Sequence, residues 1–401
     1  MTQRRGPFSG SKNMWAWLST ATALALVLVL LTVLGGTESD TDPVTLSSTP
    51  SPGPWQPVAT AGTSATPEST PVVPPADPAT APSWMRKLNP GEKPPQFVLF
   101  SFDGAGSTAH WARVLPLAKR SGAHVTALLS GIYLLENSRK NEYTGPGHPR
   151  GSAEITFGGT RQEVVNRIGY FNQAIADGHE IGTHYNGHFC QGAEPSVGFW
   201  STQDWNSEMD QFNKFVEVGR QLGLRLDPTT IRGGRTPCLE HKQDQLFPAM
   251  LQHGLVYDTS QVTLGVQWPK VKQGVWEFAM PEVRIPALNS KVVMMDFNLW
   301  YALNGAQEQP ERKAEFSQIT LDTYRSVYNE TFNGNRAPLV IGNHFNEWAG
   351  GAFGDAVERF MGEVCVKTDT VCATYTEVMQ WMQLQDPAVL QEFRNMPAAM
   401  N

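Results

Sequence analysis

The chain has 401 residues, a formal net charge of −7 and 17% charged against 40% hydrophobic residues. Such a composition builds a buried core, and the length suits two or three average domains or one large α/β barrel with appendages. No basic cluster is able to neutralise a run of phosphates, which excludes nucleic acid as a partner.

At the N-terminus Arg4, Arg5 and Lys12 precede an uncharged apolar stretch, Trp15 to Leu34, of 20 residues. A helix of that length crosses a hydrocarbon core of ~30 Å. The basic end is expected to stay in the cytoplasm, with everything after Leu34 exported. Residues 1–36 are therefore expected to be a cytoplasmic stub and a signal-anchor helix, with the membrane as partner. If the leader is cleaved, the protein is secreted instead. Between Thr37 and Pro90 lie twelve of the 29 prolines, so residues 37–92 are expected to form a disordered tether. Four cysteines in an exported chain point to two disulfides, and no pair has the C-x-x-C spacing of a structural zinc site.

From residue 93 to 401 the sequence alternates strand-like and helix-like runs. "QFVLFSF" (96–102) reads as a fully buried strand, and "AHVTALLS" (123–130) as the next, after a helical "HWARVLPLAKRSG". The helix "RQEVVNRIGYFNQAIADG" has Val165, Ile168, Phe171 and Ile175 at helical spacing and leads into "GHEIGTH". Ser201 to Gly223 reads as a capped amphipathic helix with Trp205, Met209, Phe212 and Val216 on one face. "TTIRGGR", "GLVYDTS", "KVVMMDFN" and "PLVIGNH" complete the strand series. This alternation predicts an α/β fold with a parallel sheet, either a barrel or doubly wound. No G-x-G-x-x-G follows the first strand, which disfavours a dinucleotide fold.

Polar residues end these strands: Asp103, His184, Arg235, Asp258 and His344. In a β/α barrel the C-terminal strand ends converge on one mouth, where catalytic groups sit. "GHEIGTHYNGH" (178–188) places His184 and His188 four residues apart, a spacing open to two readings, a metal pair or two polar turn residues. The set of strand ends favours one functional mouth.

These motifs resemble those of the polysaccharide deacetylases, carbohydrate esterase family 4, over roughly residues 95–385. "GHEIGTHYNGH" is similar to the family's metal-binding histidine motif, "RGGRTPCLE" to its arginine motif, "VYDTS" to its fourth motif and "VIGNHFNEW" to its fifth. The resemblance implies a distorted (β/α) barrel, a divalent metal, zinc as a rule, and an N-acetylated polysaccharide as substrate. By that resemblance His184 and His188 hold the metal and Asp103 is the general base, oriented by Arg235. His344 is the general acid aimed by Asp258, and the Cys238 backbone N–H serves the oxyanion. With Cys190 beside the histidines and Cys238 in the arginine motif, bridges 190–238 and 365–372 are expected.

One motif departs from the family's Thr-Phe-Asp-Asp-Gly. In "SFDGAG" Asp103 matches the first aspartate, but Gly104 stands where the second, the third metal ligand, belongs. A catalytic zinc usually has three protein ligands. Glu180, four residues before His184 on one strand face, is the possible substitute ligand. The expected function is an exported, metal-dependent deacetylase of a cell-surface glycan. The alternatives are a glycan-binding pseudoenzyme, suggested by Gly104, and a glycosidase, for which only Asp103 and Asp258 offer a carboxylate pair.

Overall fold

The computed structural model describes residues 70–400. The expected membrane helix and most of the expected tether lie outside the described residues, among which no helix is long and apolar enough to cross a membrane.

The first strands are β1 (Gln96–Gly104), β2 (Thr126–Leu129), β3 (Glu180–Thr183), β4 (Gly233–Gly234) and β5 (Tyr257–Asp258). Between them run α1 (Thr108–Ser121), α2 (Arg161–Ala176), α3 (Thr202–Gln221) and α4 (Gln243–Gln252). There follow β6 (Val262–Leu264), β7 (Lys270–Lys272), β8 (Val275–Glu277), β9 (Met280–Ile285) and β10 (Ser290–Val293). The chain then forms α5 (Asp296–Asn304), α6 (Lys313–Asn333), β11 (Leu339–His344), α7 (Trp348–Val364), β12 (Thr370–Cys372), α8 (Tyr375–Leu384) and α9 (Pro387–Asn395).

Every residue of β1 is buried, as a strand covered on both faces requires, and this is why it reads as an unbroken apolar run. Helix starts follow their local chemistry. Thr160 with Glu163 and Ser201 with Asp204 form capping boxes on α2 and α3, satisfying backbone N–H groups that the first turn leaves open. The face of α3 read from periodicity, Trp205, Met209, Phe212 and Val216, is buried in the core.

The main sheet has the order β11-β1-β2-β3-β4-β5-β8-β7, with β12 also on β1. From β11 to β8 the pairings are parallel, and only β7–β8 is antiparallel. Among the described residues the ladder does not close on itself by strand pairing. A second sheet has the order β10-β9-β6, and Gly342 of β11 donates its N–H to the Met294 carbonyl at 3.1 Å. "KVVMMDFN" is thus not a strand of the main series. Its first half is β10, antiparallel to β9, and its second half opens α5. Periodicity predicts a strand there; which sheet it joins depends on partners far away in sequence.

The last part of the expected tether falls among the described residues. Residues 71–95 dock on the domain rather than trailing from it. Val73 is buried and exchanges hydrogen bonds with the Gln383 side chain, at 2.8 and 3.2 Å. Trp276 Nε1–H donates to the Pro71 carbonyl, Gln380 to Pro74, and Leu88 N–H to Gln385. Trp84, Met85 and Leu88 pack against the core. Proline content describes the backbone of such a segment; a few apolar anchors decide whether it docks.

Candidate functional site

The parallel register brings the C-terminal strand ends together. Asp103 pairs with His344 across β1 and β11. His184 N–H donates to the Leu129 carbonyl at 2.8 Å, and Arg235 N–H to Thr183 at 3.0 Å. Left-handed residues gather here: Gly104 and Ala105 after β1, Tyr185 and His188 after β3, and Cys238 and Leu239 after β4. Non-glycine residues at positive φ are strained, and such strain collects where a surrounding structure holds functional groups in place.

Asp103 and Arg235 form a buried ion pair, Nη1 to Oδ1 at 2.6 Å, with side chains 3% and 0% exposed. The remaining Arg235 donors reach the Thr259 carbonyl, Thr259 Oγ1, Ser101 Oγ and the Tyr375 hydroxyl at 2.9–3.1 Å. Burial opposes ionisation of Asp103, but the Arg235 guanidinium, helped by the neighbouring imidazoles, outweighs it and holds the carboxyl below its ordinary pKa.

His344 has a different partner from the one expected. Its Nδ1 lies 2.7 Å from Asp296 Oδ1, and its backbone N–H donates to Asp296 Oδ2 at 2.7 Å. Burial lowers the imidazole pKa, but the Asp296 charge and hydrogen bond more than compensate, so it is raised. Asp258 instead accepts the Ser260 hydroxyl (2.6 Å) and N–H (3.0 Å). Ser260 Oγ in turn accepts the Thr236 N–H, so Asp258 braces the arginine loop. The reason is topological: β5 lies five places from β11 in the sheet, whereas a bridge between Met295 and Gly342 sets the start of α5 beside β11. Asp296 follows the apolar run "VVMM", which is the signal for it in the sequence.

The rings of His184 and His188 lie 5.2 Å apart. His184 Nδ1 is 2.8 Å from the Arg235 carbonyl, so that nitrogen carries the proton. Its Nε2 is buried and has no hydrogen-bond partner among the described residues. An imidazole fixed through Nδ1–H with a bare, buried Nε2 lone pair is the arrangement of a metal-ligating histidine. His188 approaches Cys190 Sγ at 3.5 Å through Nδ1, and burial is the main cause pushing its pKa down to about 3. A neutral imidazole is the form that ligates, so the pair fits a divalent metal. Cys190 and Cys238 are not further ligands despite their closeness to His188. They form a disulfide, whose sulfurs are not thiolates. This bridge and Cys365–Cys372 are the two expected. Cys238 joins the arginine turn, Pro237–Leu239, to the histidine loop.

The histidine loop is held by a residue sequence reading passed over. Glu208 of α3, 1% exposed, accepts the N–H groups of Asn186 (2.9 Å) and Gly187 (3.3 Å) and the Tyr143 hydroxyl. Burial pushes its carboxyl up to about 7, against the pull of those hydrogen bonds. A glutamate beside Trp205 and Met209 on the buried face of α3 was the visible clue.

Glu180, the possible substitute ligand, lies away from the histidine pair. It opens β3, whereas His184 follows its end, and four residues along a strand span about 13 Å. Its oxygens accept the Thr376 N–H and hydroxyl at 3.1 and 2.8 Å. At Gly104, φ is +73°, and a Cβ there would meet Tyr133 Cε2 at 3.3 Å and its hydroxyl at 3.4 Å. The missing side chain has left no void; Tyr133 stands against it.

Neither a family model nor a curated protein matches the chain. Solved structures similar to it include a protein from Mycobacterium smegmatis described as a polysaccharide deacetylase. That match has 14% identity and TM-score 0.48, over 79% of this chain and 96% of the other. A CE4 family pseudoenzyme from Bacillus anthracis matches at 9% identity and TM-score 0.39, over 73% and 66%. The chitin deacetylase of the fungal pathogen Colletotrichum lindemuthianum matches at 12% and 0.39, over 70% and 85%.

Proposed function

We propose that the chain is a metal-dependent hydrolase that removes acetyl groups from an N-acetylated cell-surface polysaccharide, chitin-like or peptidoglycan. The observation that carries the reading is the bare, buried Nε2 of His184, flanked by an ionised carboxylate on Arg235 and a histidine on Asp296. An isolated binding surface has no need of an acid–base set.

His184 and His188 would hold the metal, zinc by the nitrogen character of the pair, which supplies Lewis acidity toward the acetyl carbonyl and toward water. Asp103 takes the proton of the attacking water at Oδ2, since Oδ1 is held by Arg235. With its pKa depressed, this carboxylate is ionised and so free to accept a proton. His344, with Nδ1 held by Asp296, donates a proton from Nε2 to the leaving amine. The Cys238 backbone N–H remains the proposed oxyanion donor. A membrane anchor at Trp15–Leu34 and an extracellular, cell-wall-side location belong to the same proposal. The two disulfides suit an oxidising compartment.

One observation favours a second reading, a glycan-binding pseudoenzyme on the same fold: position 104 is a glycine and supplies no carboxylate. Acetate release from N-acetylglucosamine oligomers separates the two. The hydrolase releases acetate with zinc, and a chelator or His344→Ala stops it. Oligomer binding with no acetate under any metal would establish the pseudoenzyme.

A further inference from the structure

The second aspartate of the resembled motif is absent, yet the space around Gly104 is polar. Ser130 directly follows β2, whose last residue, Leu129, pairs with Gly104 on one side and Thr183 on the other. Ser130 N–H donates to the Gly104 carbonyl at 3.4 Å. The serine therefore stands on the strand between those carrying Asp103 and His184, one strand spacing of about 4.8 Å from each.

Ser130 is 0% exposed, and its Oγ has no hydrogen-bond partner among the described residues. A buried hydroxyl without a partner is unfavourable, so this one is open to a ligand. It lies 3.8 Å from the position a Gly104 Cβ would take, with the Tyr133 hydroxyl 3.4 Å from the same point. The two hydroxyls thus converge where a side chain at 104 would begin.

The placement of Tyr133 is built into the chain. Its ring lies over Gly106, where a Cβ would come within 2.7 Å of ring carbons, so a glycine is required. Arg167 ties the loop down, donating to the Gly106 carbonyl at 2.7 Å and the Tyr133 carbonyl at 2.8 Å. Its guanidinium sits 5.4 Å from the ring centroid. Gly104 and Gly106 together make room for this tyrosine.

We propose that the Ser130 and Tyr133 hydroxyl oxygens replace the absent carboxylate as the oxygen side of the divalent-cation site completed by His184 and His188. The inference rests on the proposed metal-dependent reading. It gives the cation two imidazoles and neutral oxygens, so the site carries one negative charge fewer than a histidine–histidine–aspartate set. Hard oxygen donors remain, but none is anionic.

The test is zinc binding to the full-length chain, measured by competition with a chromophoric chelator. The panel is the natural protein, Ser130→Ala, Tyr133→Phe, their double variant and His184→Ala. Both hydroxyl deletions are nearly isosteric, and thermal melts confirm that each variant folds. One zinc per chain is expected for the natural protein, lost in His184→Ala, with affinity falling at least ~10-fold in the double variant. If His184→Ala abolishes binding while the double variant binds within twofold of the natural protein, this inference is wrong and the metal site stands. If the natural protein binds no zinc, or His184→Ala binds as it does, the metal-dependent reading falls and this inference with it.

Discussion

Two loops of the same mouth, 184–188 after β3 and 103–106 after β1, solve the same problem in opposite ways. Both contain left-handed residues, both lie against a tyrosine, and both are tied by a buried or half-buried charged side chain. In the histidine loop the tie is Glu208, which takes two backbone N–H groups and leaves His184 Nε2 bare. In the β1 loop the tie is Arg167, which takes two carbonyls and presses Tyr133 onto the glycines. The first loop leaves a buried imidazole nitrogen bare; the second packs a neighbour's ring against a glycine. A missing ligand in sequence is therefore not a hole in structure.

The largest effect is expected on the β1 side. Arg235→Met leaves Asp103 buried without its counter-charge, and breaking such a pair costs about 3–5 kcal/mol. Denaturant unfolding of the variant against the natural protein measures it, and a loss below about 1 kcal/mol would show the pair to be hydrated.

On the histidine side the tie is pH-dependent. The folded Glu208 carboxyl, near 7, lies above its ordinary value of 4.5. A raised carboxyl contributes stability that is complete below the unfolded pKa and lost as pH rises through the folded one. The stability difference between the natural protein and Glu208→Gln should therefore shift against the natural protein between pH ~4.5 and ~7, by on the order of 2–3 kcal/mol. Subtracting the variant removes the buried histidines, which titrate in both proteins. Parallel stability curves would mean that Glu208 is ionised throughout.

Gly104→Asp sharpens the contrast. On sequence grounds this change restores a ligand. At φ +73° and against Tyr133 it is expected instead to cost about 1–2 kcal/mol without tightening zinc. Adding Tyr133→Ala should make room and raise zinc affinity above that of the single variant. Equal affinity in the two would remove Tyr133 from the explanation.

The smallest effect concerns the acid. Asp296→Asn removes the charge that raises the His344 pKa, so the alkaline limb of the activity profile should move to lower pH, with a few-fold loss at neutrality. Asp258→Asn should leave that limb in place, since Asp258 serves Ser260. The opposite pattern would restore the pairing that the motif order suggests.

Sequence by itself determined the α/β class, the helix starts and the residues that end the strands. These follow from short-range rules: apolar periodicity selects which face is buried, and a polar residue after a buried run must lie where the run emerges. Asp103, His184, Arg235 and His344 were legible for that reason. Tertiary structure alone decided which ends meet. Strand order gave His344 to Asp296 and left Asp258 to a neighbouring loop. Apolar anchors at Val73 and Trp84 docked a segment whose prolines read as free, and Tyr133, 29 residues from Gly104, filled its place. Each depends on contacts between segments distant in the chain, which no local pattern encodes.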